Sequence, residues 1–220
     1  MTERARLALF DCDGTLVDSQ HAIVSAMTAA WTDEGLAQPD PVKVRHVVGL
    51  SLVEAVARLL PEGEPAFHER LTDRYKRAFQ RNRLASRFEE PLYPGMRELL
   101  FGLHERGVLL GVATGKSMRG LMAVLERHGL TGLFITLQTA DFGPGKPDPA
   151  MLLRALNEAG ADAADTVMIG DTVFDMEMAC RGGVGAIGVG WGYHGVEELK
   201  RSGARRVVWT AQELEAEILA

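Results

Sequence analysis

The chain has 220 residues, 46% apolar and 25% charged, a balance that suits a folded domain with a sizeable core and excludes a disordered or fibrous chain. A formal net charge of −6 argues against a nucleic-acid-binding surface, and no apolar run approaches the roughly 18 residues of a membrane span. Cys12 and Cys180 lack metal-ligand spacing and fit buried thiols in a reducing, cytoplasmic setting better than a disulfide.

The first predicted element is a strand over residues 7–10, Leu-Ala-Leu-Phe, too short for a signal sequence. It runs directly into Asp11-Cys12-Asp13-Gly14-Thr15-Leu16-Val17-Asp18. Helical periodicity follows over 20–34, 42–48, 52–60 and 66–84, punctuated by Pro39, Pro41, Pro61 and Pro65, with no strand pattern before Pro91. Beyond that point strands at 108–113, 134–137, 166–169, 184–189 and 206–209 alternate with helices at 96–105, 118–128, 150–159, 173–181 and 212–219. Such alternation predicts an α/β fold, a Rossmann-like doubly wound parallel sheet with helices on both faces. We read residues 1–16 and 91–220 as the catalytic core and 17–90 as an inserted α-helical cap domain, placed above the strand ends where a lid belongs.

Parallel strands of one sheet bring their ends together, so polar residues far apart in sequence become one site. Asp11 and Asp13 follow the first strand, and Thr114 follows the strand over 108–113. Lys146 lies in Gly143-Pro144-Gly145-Lys146-Pro147, and Asp171 and Asp175 follow the strand over 166–169. Each has an ordinary explanation by itself, as a turn former, a helix cap or a solvated lysine. Together, carboxylates and one lysine make a hard-oxygen pocket that suits Mg²⁺, an ion that takes one or two carboxylates and keeps water and substrate phosphate as its other ligands. No His/Cys cluster points to zinc. A carboxylate in such a pocket can attack phosphorus and split one hard step into two.

Asp11-Cys12-Asp13-Gly14-Thr15, Thr114, Lys146-Pro147 and Gly170-Asp171-Thr172-Val173-Phe174-Asp175 resemble, in order, the four motifs of the haloacid dehalogenase superfamily, closest to the phosphoglycolate phosphatase-like hydrolases. The resemblance implies that Asp11 is the nucleophile and that Asp13 protonates the leaving oxygen and then activates water. It places Mg²⁺ on the Asp11 carboxylate, the Asp13 carbonyl and Asp171, with Asp175 supporting that shell or orienting Lys146. Thr114 and Lys146 would grip the phosphoryl oxygens, with Gly14, Thr15 and Gly115 as further substrate contacts. Gly115 stands where many relatives carry Asn, and Cys12 replaces a common apolar residue.

Gly183-Val184-Gly185-Ala186-Ile187-Gly188 matches a dinucleotide fingerprint in letters but follows a helix and reads as a strand. Gly111 to Ser117 mimics a P-loop, yet Leu110 occupies the position its first glycine needs. The arginine-rich span 70–87 reads as a solvated helical face, and the scattered histidines as structural or exposed groups. In the cap, Arg45 precedes the break at Gly49 and is the candidate for binding a substrate carboxylate bidentately. The expected activity is Mg²⁺-dependent hydrolysis of a small phosphorylated metabolite, with a sugar phosphomutase, a pyrophosphatase and a non-catalytic binder as alternatives and monomer and homodimer both open.

Overall fold

The computed structural model describes residues 7–84 and 90–220; the start of the expected core segment and the end of the arginine-rich span at Arg87 lie outside the described residues. Strands β1 (Leu7–Phe10), β2 (Leu109–Thr114), β3 (Thr136–Thr139), β4 (Thr166–Gly170), β5 (Gly185–Val189) and β6 (Arg206–Val208) form one sheet, ordered β3-β2-β1-β4-β5-β6 and parallel throughout. β1 is buried at all four positions because it lies between β2 and β4 and is covered on both faces. Ala8 and Phe10 face one apolar cluster, Leu9 the opposite one, the alternation a strand imposes.

Helices α5 (Met96–Glu105), α6 (Met118–Arg127) and α10 (Ala211–Leu219) supply Leu99, Leu103, Leu121 and Leu214 to the first cluster. Helices α7 (Ala150–Ala159) and α8 (Val173–Arg181) give Met151, Leu152, Met176 and Ala179 to the second. The doubly wound parallel sheet expected from the sequence is therefore present. Two local readings change. β3 starts two residues later than its apolar pattern suggests, because Leu130 and Phe134 enter the core from the preceding loop while Ile135 is 52% exposed. Helix α9 (Val196–Arg201) has only six residues, too few for a periodic signal, and is held by Glu198 accepting the Gly195 N–H.

Between β1 and α5 the chain forms α1 (Gln20–Asp33), α2 (Pro41–His46), α3 (Leu52–Leu59) and α4 (Pro65–Arg83). Asp40 accepts from the Val42 N–H ahead of Pro41, and Ser51 accepts from Glu54 N–H, so α2 and α3 start at side-chain caps. Ile23, Met27, Ala30 and Trp31 lie at helical spacing on α1 and pack with Val44, Val56 and Leu71 into a cluster of their own. A smaller cluster of Val47, Leu50 and Ala55 against Phe174 joins this helical block to α8. The chain leaves and re-enters the sheet layer side by side: Val17 bridges Leu92 antiparallel, Asp18 N–H donates to Pro91 O at 2.8 Å, and Tyr93 N–H donates to Leu16 O at 3.0 Å. Among the described residues no helix is long and apolar enough to cross a membrane.

Candidate active site

The strand order reverses at β1, and in open α/β sheets such a switch point opens a crevice beyond the strand ends. Phe10 pairs in register with Val112 on β2 and Ile169 on β4, so the residues following these strands arrive at one level. Asp11 extends the pairing by donating its N–H to Ile169 O at 2.8 Å. Asp11, Asp171 and Asp175 consequently converge, with a carboxylate oxygen from each within 4.8 Å of the others, all buried.

These acids are held unequally. Asp171 Oδ1 accepts from the Thr15 hydroxyl at 3.0 Å and Oδ2 from the Tyr193 N–H at 2.9 Å. Its surroundings are so close that a methyl on Gly14, itself at φ +89°, would stand 2.2 Å from Asp171 Oδ2, and one on Gly192 would stand 2.1 Å from the Asp171 Cβ. Only glycine fits at either place. Asp175 Oδ2 accepts from both the N–H and the hydroxyl of Thr172 at the start of α8, while Oδ1 accepts from Lys146 at 2.6 Å. Both Asp175 oxygens are thus engaged. Asp11 is the exception: Oδ1 meets the Lys146 ammonium at 2.8 Å, and Oδ2 meets no donor among the described residues.

One lysine cannot neutralise three buried carboxylates. Burial pushes the Asp11 carboxyl up to about 7, against the attraction of Lys146 and with the repulsion of Asp175. Burial, then Asp11 and Asp175, raises Asp171 well above the ordinary carboxylate range. Burial alone would lower Lys146, but Asp11 and Asp175 outweigh it and keep the ammonium charged. A cluster of buried hard oxygens with excess negative charge, including an Asp11 oxygen that meets no donor among the described residues, fits a small divalent cation.

Asp13 stands apart from this group. Lys116 Nζ contacts its two carboxylate oxygens at 2.7 and 3.0 Å and also reaches Glu90 at 3.2 Å. Glu90 lies on the segment returning to the sheet layer and is also approached by Arg83 at 3.6 Å. The Thr114 hydroxyl at the end of β2 accepts from the Lys116 N–H at 3.1 Å, which leaves its own hydrogen for another acceptor. Asp11, Asp13, Thr114 and Lys116 all line a cavity of about 390 Å³ between the strand ends and the helical block.

The structure brings Asp11, Asp13, Thr114, Lys146, Asp171 and Asp175 into this region and rearranges the rest of the expected set. Thr15 is fully buried and its hydroxyl binds Asp171, so it orients the carboxylate. Gly14 presses against Asp171. Gly115 does line the cavity, and a methyl there would stand 2.4 Å from the Leu50 carbonyl oxygen. The missing side chain at 115 is matched by close approach of the Gly49–Leu50 backbone. Val44 and Val47, from the same stretch as Arg45, line the cavity; Arg45 itself is not among the lining residues. Lys116, Glu90 and Tyr193 carry no signal in the sequence. Lys116 is visible there only as part of a failed P-loop, because its partner Asp13 is 103 residues away.

The sequence profile of the family described as "Haloacid dehalogenase-like hydrolase" matches residues 8–189. "Probable phosphatase IndB" of Dickeya dadantii is 38% identical over 211 residues, covering 94% of this chain and 91% of that protein. A phosphoglycolate phosphatase of Agrobacterium fabrum is 34% identical over 197 residues, covering 88% of this chain and 84% of its own length. The crystal structure of a hydrolase from Pseudomonas syringae superposes with a TM-score of 0.85 at 28% identity, covering 96% of each chain.

Proposed function

Since the chain belongs to the haloacid dehalogenase-like hydrolases and is a phosphatase of the phosphoglycolate phosphatase-like kind, we propose that it hydrolyses a small phosphomonoester through an aspartyl-phosphate on Asp11, with Mg²⁺ bound beside it. The observation that carries this reading is Asp11 itself. It is a buried carboxylate at a sheet switch point, with one oxygen that no donor among the described residues satisfies and with an open cavity above it. In a structural ion pair both oxygens would be engaged, as they are in Asp175.

The chemistry assigns the residues as follows. A bond forms between an Asp11 oxygen and phosphorus while the bond from phosphorus to the ester oxygen breaks. Asp13 delivers a proton to that leaving oxygen, then accepts one from the water that attacks phosphorus, releasing inorganic phosphate and restoring Asp11. Lys146, fixed by Asp175, and the free hydrogen of Thr114 bind the phosphoryl oxygens. Asp11, Asp171 and the Asp13 carbonyl would hold Mg²⁺, which when bound supplies neutralisation of the charge spread over the phosphoryl group. Residues 17–90 act as a cap over this centre, and Gly115 lets the Gly49–Leu50 backbone close on it. Mg²⁺-dependent release of phosphate from p-nitrophenyl phosphate by the purified protein tests the reading, and no release with the metal present overturns it.

Two further results are expected. Removing the Lys116 charge with Lys116→Met frees Asp13 to swing and leaves Glu90 buried without its ammonium. Turnover is expected to fall about 10²-fold, the scale of a displaced acid–base group, with a smaller change in KM; equal kcat in steady-state assays would remove Lys116 from the site.

The second concerns the metal. In the metal-free fold Asp11 holds a proton up to about pH 7 that the unfolded chain releases near 3.8. That proton's contribution to stability is complete below the unfolded value and is lost as pH rises through about 7. Mg²⁺ replaces the proton, so its effect on melting grows with pH. Melting curves with and without Mg²⁺ should differ by about 5–10 °C at pH 8 with metal at roughly 100 times Kd, and by far less at pH 5.5. Equal shifts at the two pH values would contradict the assignment.

A further inference from the structure

The cavity changes character with distance from the strand ends. Its lower end carries Asp11, Asp13, Thr114 and Lys116. Its upper part is walled by Ile23, Met27, Val44, Val47 and Leu50. The remaining wall is α4, where Thr72, Tyr75 and Phe79 recur at i, i+3 and i+7 and so share one helix face. The Tyr75 and Phe79 rings lie 5.7 Å apart, tilted by 33°. At about 390 Å³ the space reaches the range of about 300–1,000 Å³ found for sites that take drug-sized molecules.

Charge is scarce in this upper part. Of the cations on its lining, Lys76 and Arg119 are solvent-exposed, and Arg83 is engaged by Glu90. One polar group stands out. Thr72 is only 3% exposed, lines the cavity, and its hydroxyl has no hydrogen-bond partner among the described residues. A buried hydroxyl left unpaired is costly, and a bound molecule with a polar atom at that place removes the cost. The Tyr75 phenol, raised above its ordinary range chiefly by burial, stays a neutral donor beside it on the same face.

A two-carbon acid such as glycolate would fill little of this space and would leave the aliphatic upper wall uncovered and the Thr72 hydroxyl unpaired. We propose that the cavity selects phosphomonoesters whose leaving group is an uncharged, ring-bearing alcohol, seated against Val44, Val47 and Phe79 with a polar ring atom hydrogen-bonded to Thr72. The inference rests on the phosphatase reading above and narrows its substrate class. Binding energy from the ring, remote from phosphorus, then contributes to catalysis for such esters and not for small ones.

Phosphate release is to be measured for benzyl phosphate, uridine 5′-monophosphate, glycerol 3-phosphate and 2-phosphoglycolate with the intact, Mg²⁺-loaded protein. At least one ring-bearing ester is expected to exceed both small ones by about tenfold or more in kcat/KM. Thr72→Val should lower kcat/KM about three- to tenfold for uridine 5′-monophosphate, the loss of one hydrogen bond, and leave benzyl phosphate and 2-phosphoglycolate unchanged. Val48→Trp, which fills the cavity from the turn after α2, should depress both ring-bearing esters and spare 2-phosphoglycolate. It keeps the test open where Thr72→Val misfolds.

A preference for 2-phosphoglycolate, comparable rates for all four esters, or equal losses on every ester in both variants would overturn the inference while leaving the phosphatase intact. No release from any of the four would instead count against the chemistry assigned to Asp11.

Discussion

Asp11→Asn is expected to abolish turnover, with kcat reduced by about 10⁴-fold or more, on the scale seen when the nucleophile of a covalent mechanism is removed. An amide at this position cannot form the acyl-phosphate. The same substitution should leave the fold intact and in the metal-free state raise its melting temperature at pH 8. It removes a buried charge that Asp175 repels and that Lys146 does not fully offset. Loss of activity with equal or greater stability is the pattern of a group retained for chemistry against stability. Calorimetry and phosphate release on one preparation check both halves, and activity within tenfold of the parent would exclude Asp11 as the nucleophile. Asp13→Asn makes the complementary case. It should turn over very slowly yet gain the mass of one phosphoryl group from an activated aryl ester, whose leaving group needs little protonation.

The second large effect is expected at Asp171. Its two oxygens are oriented by Thr15 and by the Tyr193 N–H, and Gly14 and Gly192 fix the surrounding shape. Asp171→Asn keeps that shape and removes the charge. Affinity for Mg²⁺ should fall by about 10–100-fold or more, since losses of that size already follow changes to groups that merely orient a metal ligand. Activity should fall with it and be partly restored by higher metal concentration. Excess chelator should silence the parent protein, and Ca²⁺ should restore it poorly because its longer, looser coordination does not hold near-octahedral geometry. Isothermal titration with Mg²⁺ gives the affinity independently of turnover. Full activity in excess chelator would exclude the metal from the mechanism.

The acids were legible in the sequence because each is announced locally. A short apolar strand followed by Asp-x-Asp-Gly, or by Gly-Asp-Thr ahead of a helix, places a carboxylate at a strand end whatever the rest of the chain does. The sheet order and its strand register then bring those ends together. What stayed hidden depends on that order. The partnership of Lys116 with Asp13 joins the ends of β2 and β1, and that of Thr15 with Asp171 joins β1 to β4, so neither has a local signature. From its place beside Gly14 alone, Thr15 suggests a substrate contact, whereas its hydroxyl is spent on Asp171. Arg45 has the chemistry of a carboxylate ligand, but the short α2 and its C-terminal turn present Val44 and Val47 to the cavity. At Gly115, where many relatives carry Asn, the Leu50 carbonyl oxygen stands where a side chain would begin, a contact with no trace in the local sequence. β3 slipped by two residues because Phe134 has a strand's hydrophobicity but packs from a loop.

The paired crossings at Val17 and Leu92 make the four helices a cassette. Their two ends are already antiparallel neighbours, joined by the Asp18–Pro91 and Tyr93–Leu16 hydrogen bonds, so a tight hairpin of the kind that links adjacent antiparallel strands in about two residues can close the gap. Excision would cost the sheet layer the partners of Phe174, Gly115, Lys116 and His194, whereas Ile23, Met27, Trp31 and Leu71 pack among themselves. Evolution and protein engineering thus meet the same opportunity. One set of helices can be exchanged for another through a single pair of adjacent joints, redirecting which ester is admitted while Asp11 and Asp171 keep their places at the ends of β1 and β4.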